Sequence, residues 1–102
     1  MIKIAVMGYG TIGSGVVEVL ETNRDSIAKR VGEEVEVKYV LDLRDFPGDP
    51  IEKKIVHDYK DITADEEVKI VVETMGGVEP AFTFVKAMLE AGKHVTTSNK
   101  AL

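Results

Sequence analysis

The sequence contains no cysteine and no tryptophan among its 102 residues. The absence of cysteine excludes disulfide bonds, thiolate zinc sites and thiol nucleophiles within this chain. No apolar run approaches the roughly 18 residues that a membrane-spanning helix needs. No basic segment followed by a long apolar stretch, which would mark an export signal, opens the chain. We therefore expect a soluble, cytoplasmic protein that does not associate with membranes.

The sequence also lacks a cluster of basic residues and a set of potential metal ligands at the spacing that a metal site requires. The formal net charge is −5 and the lysines and arginines are dispersed, which argues against nucleic acid as a partner because nucleic-acid binding depends on neutralising phosphates. The two histidines, His57 and His94, have no partner at ligand spacing. We therefore expect no metal site.

What is present describes one globular domain. Hydrophobic residues make up 44% of the chain and charged residues 30%, the balance of a folded protein and not of a disordered one. The length suits a single domain over residues 1–102. It allows one core, but not a cofactor domain together with a substrate domain.

Strand and helix patterns alternate along this domain. Apolar, β-branched runs predict strands at residues 2–7, 35–41, 69–74 and 93–98, with a short one at 53–57. Helical spacing of apolar residues predicts one long helix from Ile12 to Val31, a short helix within 60–68, and a helix from Pro80 to Ala91. In the last helix we expect an inner side formed by Ala81, Val85, Met88 and Leu89.

This alternation is typical of an α/β fold, a mostly parallel sheet with helices on both faces. In such Rossmann-like sheets, ligands bind beyond the carboxyl ends of the strands. The residues that follow each predicted strand are therefore the first candidates for a functional site.

The first strand is followed by the spacing Gly8-x-Gly10-x-x-Gly13. A strand before and a helix after are the context that a dinucleotide-binding loop requires. Gly8 would allow the tight turn, Gly10 the close approach of a pyrophosphate, and Gly13 the close packing of helix on strand. The backbone amides of Thr11 and Ile12 would then face the phosphates. The alternative is a glycine-rich turn without a ligand.

The second strand ends at Asp42, where a carboxylate usually binds the adenosine ribose. Asp42 lies farther from Gly13 than is usual, and we attribute the excess to the long first helix. An acidic residue here favours NAD over NADP, whereas Arg44 would offset its repulsion of a 2′-phosphate. Asp42 as a solvated turn residue is the alternative, and the choice between NAD and NADP stays open.

Two further segments follow the later strands. The turn from Thr74 to Gly77 includes paired glycines, which let a chain pass close to a ligand, and Glu73 before it is either a ligand group or the polar end of the strand. The last strand leads into Ser98 and Lys100. Considered alone, Lys100 would be an ordinary surface lysine. All four segments fall at the same edge of the predicted sheet, which favours one binding site.

The stretches "ETMGGVEPA" and "EAGKHVTTSNKAL" carry a family resemblance. Together with the glycine loop they resemble the amino-terminal NAD(P)-binding domain of homoserine dehydrogenase. Oxidoreductases of the glucose–fructose type share "EAGKHV" but typically continue into Glu-Lys-Pro, where this chain has Ser98-Asn99-Lys100. The end of the second strand departs from the family, which often has Val-Arg-Asp there where this chain has "VLDLRD".

The resemblance implies an NAD- or NADP-dependent oxidoreductase that interconverts L-homoserine and L-aspartate 4-semialdehyde, on the route to threonine and methionine. It implies Lys100 as a catalytic residue near the nicotinamide, and a homodimer whose second domain supplies the rest of the active site. The isolated chain should then be inactive. The candidate cofactor contacts are Gly8, Gly10, Thr11, Ile12, Gly13, Asp42, Arg44, Thr74, Met75, Gly76, Gly77, Ser98 and Lys100.

Two other functions stay open at this point. One is a stand-alone dinucleotide-sensing module that has lost catalysis. The other is the cofactor domain of a different two-domain oxidoreductase, such as a semialdehyde dehydrogenase, whose cysteine nucleophile would have to lie outside this chain.

Overall fold

The computed structural model of the chain describes residues 1–98. Its centre is a five-stranded, fully parallel sheet with the strand order β3-β2-β1-β4-β5. The strands are β1 (Ile2–Met7), β2 (Val35–Leu41), β3 (Ile55–Val56), β4 (Val68–Glu73) and β5 (His94–Thr97). The helices are α1 (Thr11–Thr22), α2 (Arg24–Val31), α3 (Lys60–Thr63) and α4 (Ala81–Glu90), with a 3₁₀ helix at Pro50–Lys54. The predicted Rossmann-like α/β fold is confirmed.

β1 lies in the middle of the sheet and is its most deeply buried strand. Ala5, Val6 and Met7 have no exposed surface, because a strand between two parallel neighbours has helices over both of its faces. One face of the sheet packs on Val17 of α1, and the other packs on Met88 of α4. These two layers leave the carboxyl ends of the strands open at one edge, called here the carboxyl edge.

The prediction of one long first helix is wrong. Asn23 separates α1 from α2, with φ −103° and ψ 26°. Its side-chain amide donates to the carbonyl oxygen of Val19 at 3.2 Å, the kind of local hydrogen bond by which asparagine competes with the helical backbone. Gly32 ends α2 in the left-handed conformation at φ 89°.

One predicted inner position of α4, Leu89, is wrong, whereas the other three are buried or pack against the core. Leu89 is 56% exposed, whereas Ala81 and Met88 of α4 are fully buried. Phe84 takes the inner position and stacks on Tyr59 with ring centroids 4.9 Å apart. The helix therefore faces the sheet through a stripe rotated away from the one that the apolar pattern favoured.

Lys93 is a buried cation, 6% exposed at the edge opposite to the carboxyl ends. Its Nζ donates to the carbonyl oxygens of Asp65 and Val68 at 2.7 and 2.8 Å. Burial lowers the pKa of this ammonium group. Lys93 thus ties the start of β5 to the turn that leads into β4.

Within residues 1–98, no helix has the length and the apolar character that crossing a membrane would require. The same range holds no group of three or more potential metal ligands. His57 instead lies 2.9 Å from Asp45, measured from Nε2 to Oδ1, at the surface.

Gly13 brings α1 close to the sheet, and we predict that Gly13→Ala destabilises the protein. A methyl group there would lie 1.9 Å from the carbonyl oxygen of Gly8 and 2.9 Å from Thr74 Oγ1. The helix must shift to accommodate it, which lowers the free energy of unfolding by about 2 kcal/mol or more. Urea denaturation followed by circular dichroism measures this change.

Gly15→Ala is the matched control, because a methyl group at Gly15 of the same helix meets no atom within 4 Å. Alanine for glycine in a helix interior raises stability by about 0.5 to 1 kcal/mol. Equal effects of the two substitutions would show that helix propensity, and not the contact with Gly8, determines the outcome.

Candidate functional site

Three loops meet at the carboxyl edge and are bonded to one another. The backbone N–H of Gly8, after β1, donates to the carbonyl oxygen of Leu41 at the end of β2 (2.7 Å). On the other side, Thr74 donates through its backbone N–H to Met7 O (2.9 Å) and through its hydroxyl to Met7 O (2.9 Å) and Gly8 O (3.1 Å). The predicted meeting of the 8–13, 42–44 and 74–77 segments is therefore what the structure shows.

The glycine loop leaves space for a ligand at the start of α1. Gly8 has φ +98°, in the region that favours glycine. A methyl group on Gly10 would meet no atom of residues 1–98 within 4 Å. The first turn of α1 has no side-chain cap and no acidic residue, so the first backbone amides, which include those of Thr11 and Ile12, have no partner within the helix. Such an end fits an anionic group such as a pyrophosphate.

Asp42 is part of the site framework, not a solvated turn residue. Its side chain is 9% exposed, and the backbone N–H of Tyr9 donates to its Oδ2 at 2.9 Å. Arg44 donates to both carboxylate oxygens, from Nε to Oδ1 at 3.0 Å and from Nη2 to Oδ2 at 2.9 Å. The guanidinium of Arg44 lowers the pKa of Asp42 to about 2, so the carboxyl group is ionised at neutral pH.

Arg44, which was predicted to offset the repulsion of a 2′-phosphate by Asp42, forms a direct bidentate pair with Asp42. Arg44 is 63% exposed, while its partner is nearly covered. The guanidinium is therefore the solvent-exposed charged group of this pair.

A cleft of about 350 Å³ opens between the loops after β1, β2 and β4. Its lining consists of Gly8, Tyr9, Gly10, Leu41, Asp42, Leu43, Arg44, Thr74, Met75 and Pro80. Sequence reasoning missed four of these residues, Tyr9, Leu41, Leu43 and Pro80. Leu43 is 79% exposed, and the only signal in the sequence was its position directly after Asp42, the predicted ribose carboxylate.

The turn after β4 depends on glycine at two consecutive positions. Gly76 and Gly77 have φ angles of 76° and 73°, which side chains rarely adopt. Both residues are exposed, whereas Met75 packs against the core. The turn therefore presents bare backbone to the solvent at the carboxyl edge.

Glu73 is not the solvated polar end of the strand that the sequence allowed. Its side chain is completely buried. Its carboxylate accepts hydrogen bonds from the backbone N–H of Met75 at 2.5 Å and from the hydroxyl of Thr97. Its carbonyl oxygen accepts from the backbone N–H of Ser98 at 3.1 Å.

The end of β5 reaches the same edge, with Thr97 and Ser98 beside Glu73. Lys100, the candidate catalytic residue, lies outside the described residues, as does Asn99. Of the two residues predicted after the last strand, Ser98 therefore lies at the carboxyl edge.

Comparisons with known proteins agree with this geometry. Residues 8–102 match the family model described as "Homoserine dehydrogenase, NAD binding domain". Homoserine dehydrogenase from Lactococcus lactis subsp. lactis (strain IL1403) is 38% identical over 99% of this chain and 25% of its own length. Its counterpart from Pseudomonas aeruginosa is 39% identical over 99% of this chain and 24% of its own length.

A solved homoserine dehydrogenase structure from S. aureus superposes with a TM-score of 0.88 at 35% identity, over 99% of this chain and 26% of that one. A structure from Thiobacillus denitrificans gives a TM-score of 0.85 at 35% identity, over 97% of this chain and 23% of that one. This chain thus spans about a quarter of the length of these relatives. It belongs to the homoserine dehydrogenase family and corresponds to the NAD-binding domain of that oxidoreductase.

Proposed function

We propose that this chain binds NAD or NADP at the carboxyl edge as the cofactor domain of a homoserine dehydrogenase. The observation that carries the proposal is the open space at Gly10, before the uncapped start of α1 and beside the Asp42–Arg44 pair. The match to the NAD-binding domain of this family supports a dinucleotide as the ligand of that space. Because the named relatives are homoserine dehydrogenases, they favour this function over a semialdehyde dehydrogenase.

Each part of the edge has a role in this proposal. The loop from Gly8 to Gly13 holds the pyrophosphate, with the amides of Thr11 and Ile12 as donors. Asp42 and Arg44 receive the adenosine ribose and its 2′ substituent. Thr74, Met75, Gly76 and Gly77 contact the middle of the cofactor, and Ser98 and Lys100 contact its nicotinamide end.

The proposed reaction interconverts L-homoserine and L-aspartate 4-semialdehyde in threonine and methionine biosynthesis. The nicotinamide, when bound, accepts or supplies the hydride. Lys100 stabilises the negative charge that develops on the alcohol oxygen of the substrate. In this proposal a second domain supplies the substrate pocket and the homodimer interface, the enzyme is cytoplasmic, and the 102-residue chain alone has no turnover.

We predict that Gly10→Ala weakens cofactor binding without weakening the fold. Gly10 has an extended backbone, with φ −86° and ψ −154°, and its new methyl group meets no atom within 4 Å in the described part of the chain. It would occupy the space needed by the phosphates, so the Kd for NADH and NADPH rises about tenfold or more, equivalent to about 1.4 kcal/mol. Isothermal titration calorimetry measures both Kd values.

Gly15→Ala again serves as the control, since it adds the same methyl group on the same helix and should bind like the parent chain. No saturable binding of NADH or NADPH by a folded parent chain at millimolar concentrations would refute the proposed function. Unchanged binding by Gly10→Ala would refute the assignment of the phosphates to this loop.

We also predict that Arg44 determines the response to the 2′-phosphate. Arg44→Ala removes the exposed cation and leaves the ionised Asp42, which repels a phosphate and accepts a ribose hydroxyl. The ratio of the Kd for NADPH to the Kd for NADH should rise about tenfold, since one charge-assisted hydrogen bond contributes about 1.5 kcal/mol or more. Calorimetry of both cofactors at one ionic strength measures the ratio.

Arg30→Ala, at an exposed position of α2, removes the same charge away from the carboxyl edge and should leave the ratio unchanged. Equal weakening of NADH and NADPH by Arg44→Ala would instead mean that Arg44 does not discriminate between the two cofactors.

A further inference from the structure

Glu73 is the point at which two predicted cofactor-contact segments are joined. The turn 74–77 bonds to its carboxylate through the backbone N–H of Met75, and β5 bonds to the same carboxylate through the Thr97 hydroxyl. The Ser98 backbone N–H and hydroxyl both donate to the carbonyl oxygen of Glu73, at 3.1 and 3.4 Å. One buried residue thus fixes the distance between these two segments.

The position of Glu73 along the carboxyl edge associates it with one half of a dinucleotide. The strand order is β3-β2-β1-β4-β5. With the pyrophosphate at the end of β1 and the adenosine ribose at Asp42 after β2, an extended dinucleotide places its other half over β4 and β5. Glu73 and Thr97 are register partners at the ends of those two strands.

A carboxylate suits this position because it accepts two hydrogen bonds at a fixed separation. Burial makes the arrangement rigid, since a buried carboxylate that loses one donor pays a desolvation penalty. The distance between the Met75 amide and the Thr97 hydroxyl is therefore fixed. A shift of either segment would break its hydrogen bond to the carboxylate.

We propose that Glu73 is a positioning residue for the nicotinamide half of the cofactor, acting through Met75 and Thr97. This inference rests on the proposed function. It assigns Glu73 no contact with the cofactor. It predicts that weakening either hydrogen bond of the carboxylate impairs binding of a whole dinucleotide but spares binding of its adenosine half.

The test compares two probes, the preferred reduced dinucleotide and the matching ADP-ribose, phosphorylated at the 2′ position if NADPH is preferred. Thr97→Val removes the hydroxyl with little change in shape, and Glu73→Gln removes the charge of the carboxylate. Each should raise the Kd of the dinucleotide about fivefold, the effect of one net hydrogen bond. The Kd of the ADP-ribose probe should change by less than about twofold.

Thr96→Val is the matched control. It makes the same substitution one residue earlier, where the side chain points to the other face of the sheet and makes no hydrogen bond among the described residues. Lys93→Met controls for lost stability, because it removes two hydrogen bonds of a buried side chain at the opposite edge. Neither variant should alter the ratio of the two Kd values.

A double-mutant cycle separates positioning from direct contact. If Thr97 acts through Glu73, the double variant binds the dinucleotide about fivefold more weakly than the parent, like each single variant. If Thr97 touches the cofactor independently, the effects multiply to about 25-fold and the proposal is overturned. It is also overturned if the variants weaken both probes equally, or if the parent chain binds both probes with the same Kd. Failure of the parent chain to bind either probe refutes the proposed function instead.

Discussion

The close approach of α1 to the end of β1 is the constraint on which the carboxyl edge depends. At Gly13 the helix lies so near the Gly8 carbonyl that a single methyl group would overlap with it. The same carbonyl accepts a hydrogen bond from the Thr74 hydroxyl. The start of α1, the glycine loop and the turn after β4 therefore form one packed unit. The uncapped helix end and the open space at Gly10 exist because this unit holds the loop against the sheet.

The fold was predictable where local pattern and burial agree. β1, β2 and β4 are apolar runs that the structure buries, and Gly32 ends its helix as an isolated glycine should. The break at Asn23 was not predictable from periodicity, because the apolar pattern continues across it and one side-chain hydrogen bond decides the outcome. The predicted burial of Leu89 was wrong for a related reason. Helical spacing gives several apolar positions, and only tertiary packing selects Phe84 over Leu89 for the inner side.

The candidate site was predictable in position but not in its bonding. Strand-end residues identified the 8–13, 42–44 and 74–77 segments because the ends of parallel strands share an edge. The bidentate pair of Asp42 and Arg44 depends on the path of a turn that spacing does not specify. The burial of Glu73 was missed because a charged residue at a strand end is usually solvated, and its two donors come from segments that are distant in sequence.

The two buried charged residues of the described chain lie at opposite ends of the sheet and have different consequences. Lys93 donates to carbonyl groups of the turn before β4, so its bonds stabilise a part of the fold that has no role in the proposed site. Glu73 accepts hydrogen bonds from two segments at the carboxyl edge. A small displacement of either segment there changes the contacts available to a ligand. Burying a charge costs free energy in both places. At the Glu73 end, the same bonds that satisfy the charge also set the geometry of the proposed nicotinamide side, so stability and cofactor positioning depend on one carboxylate.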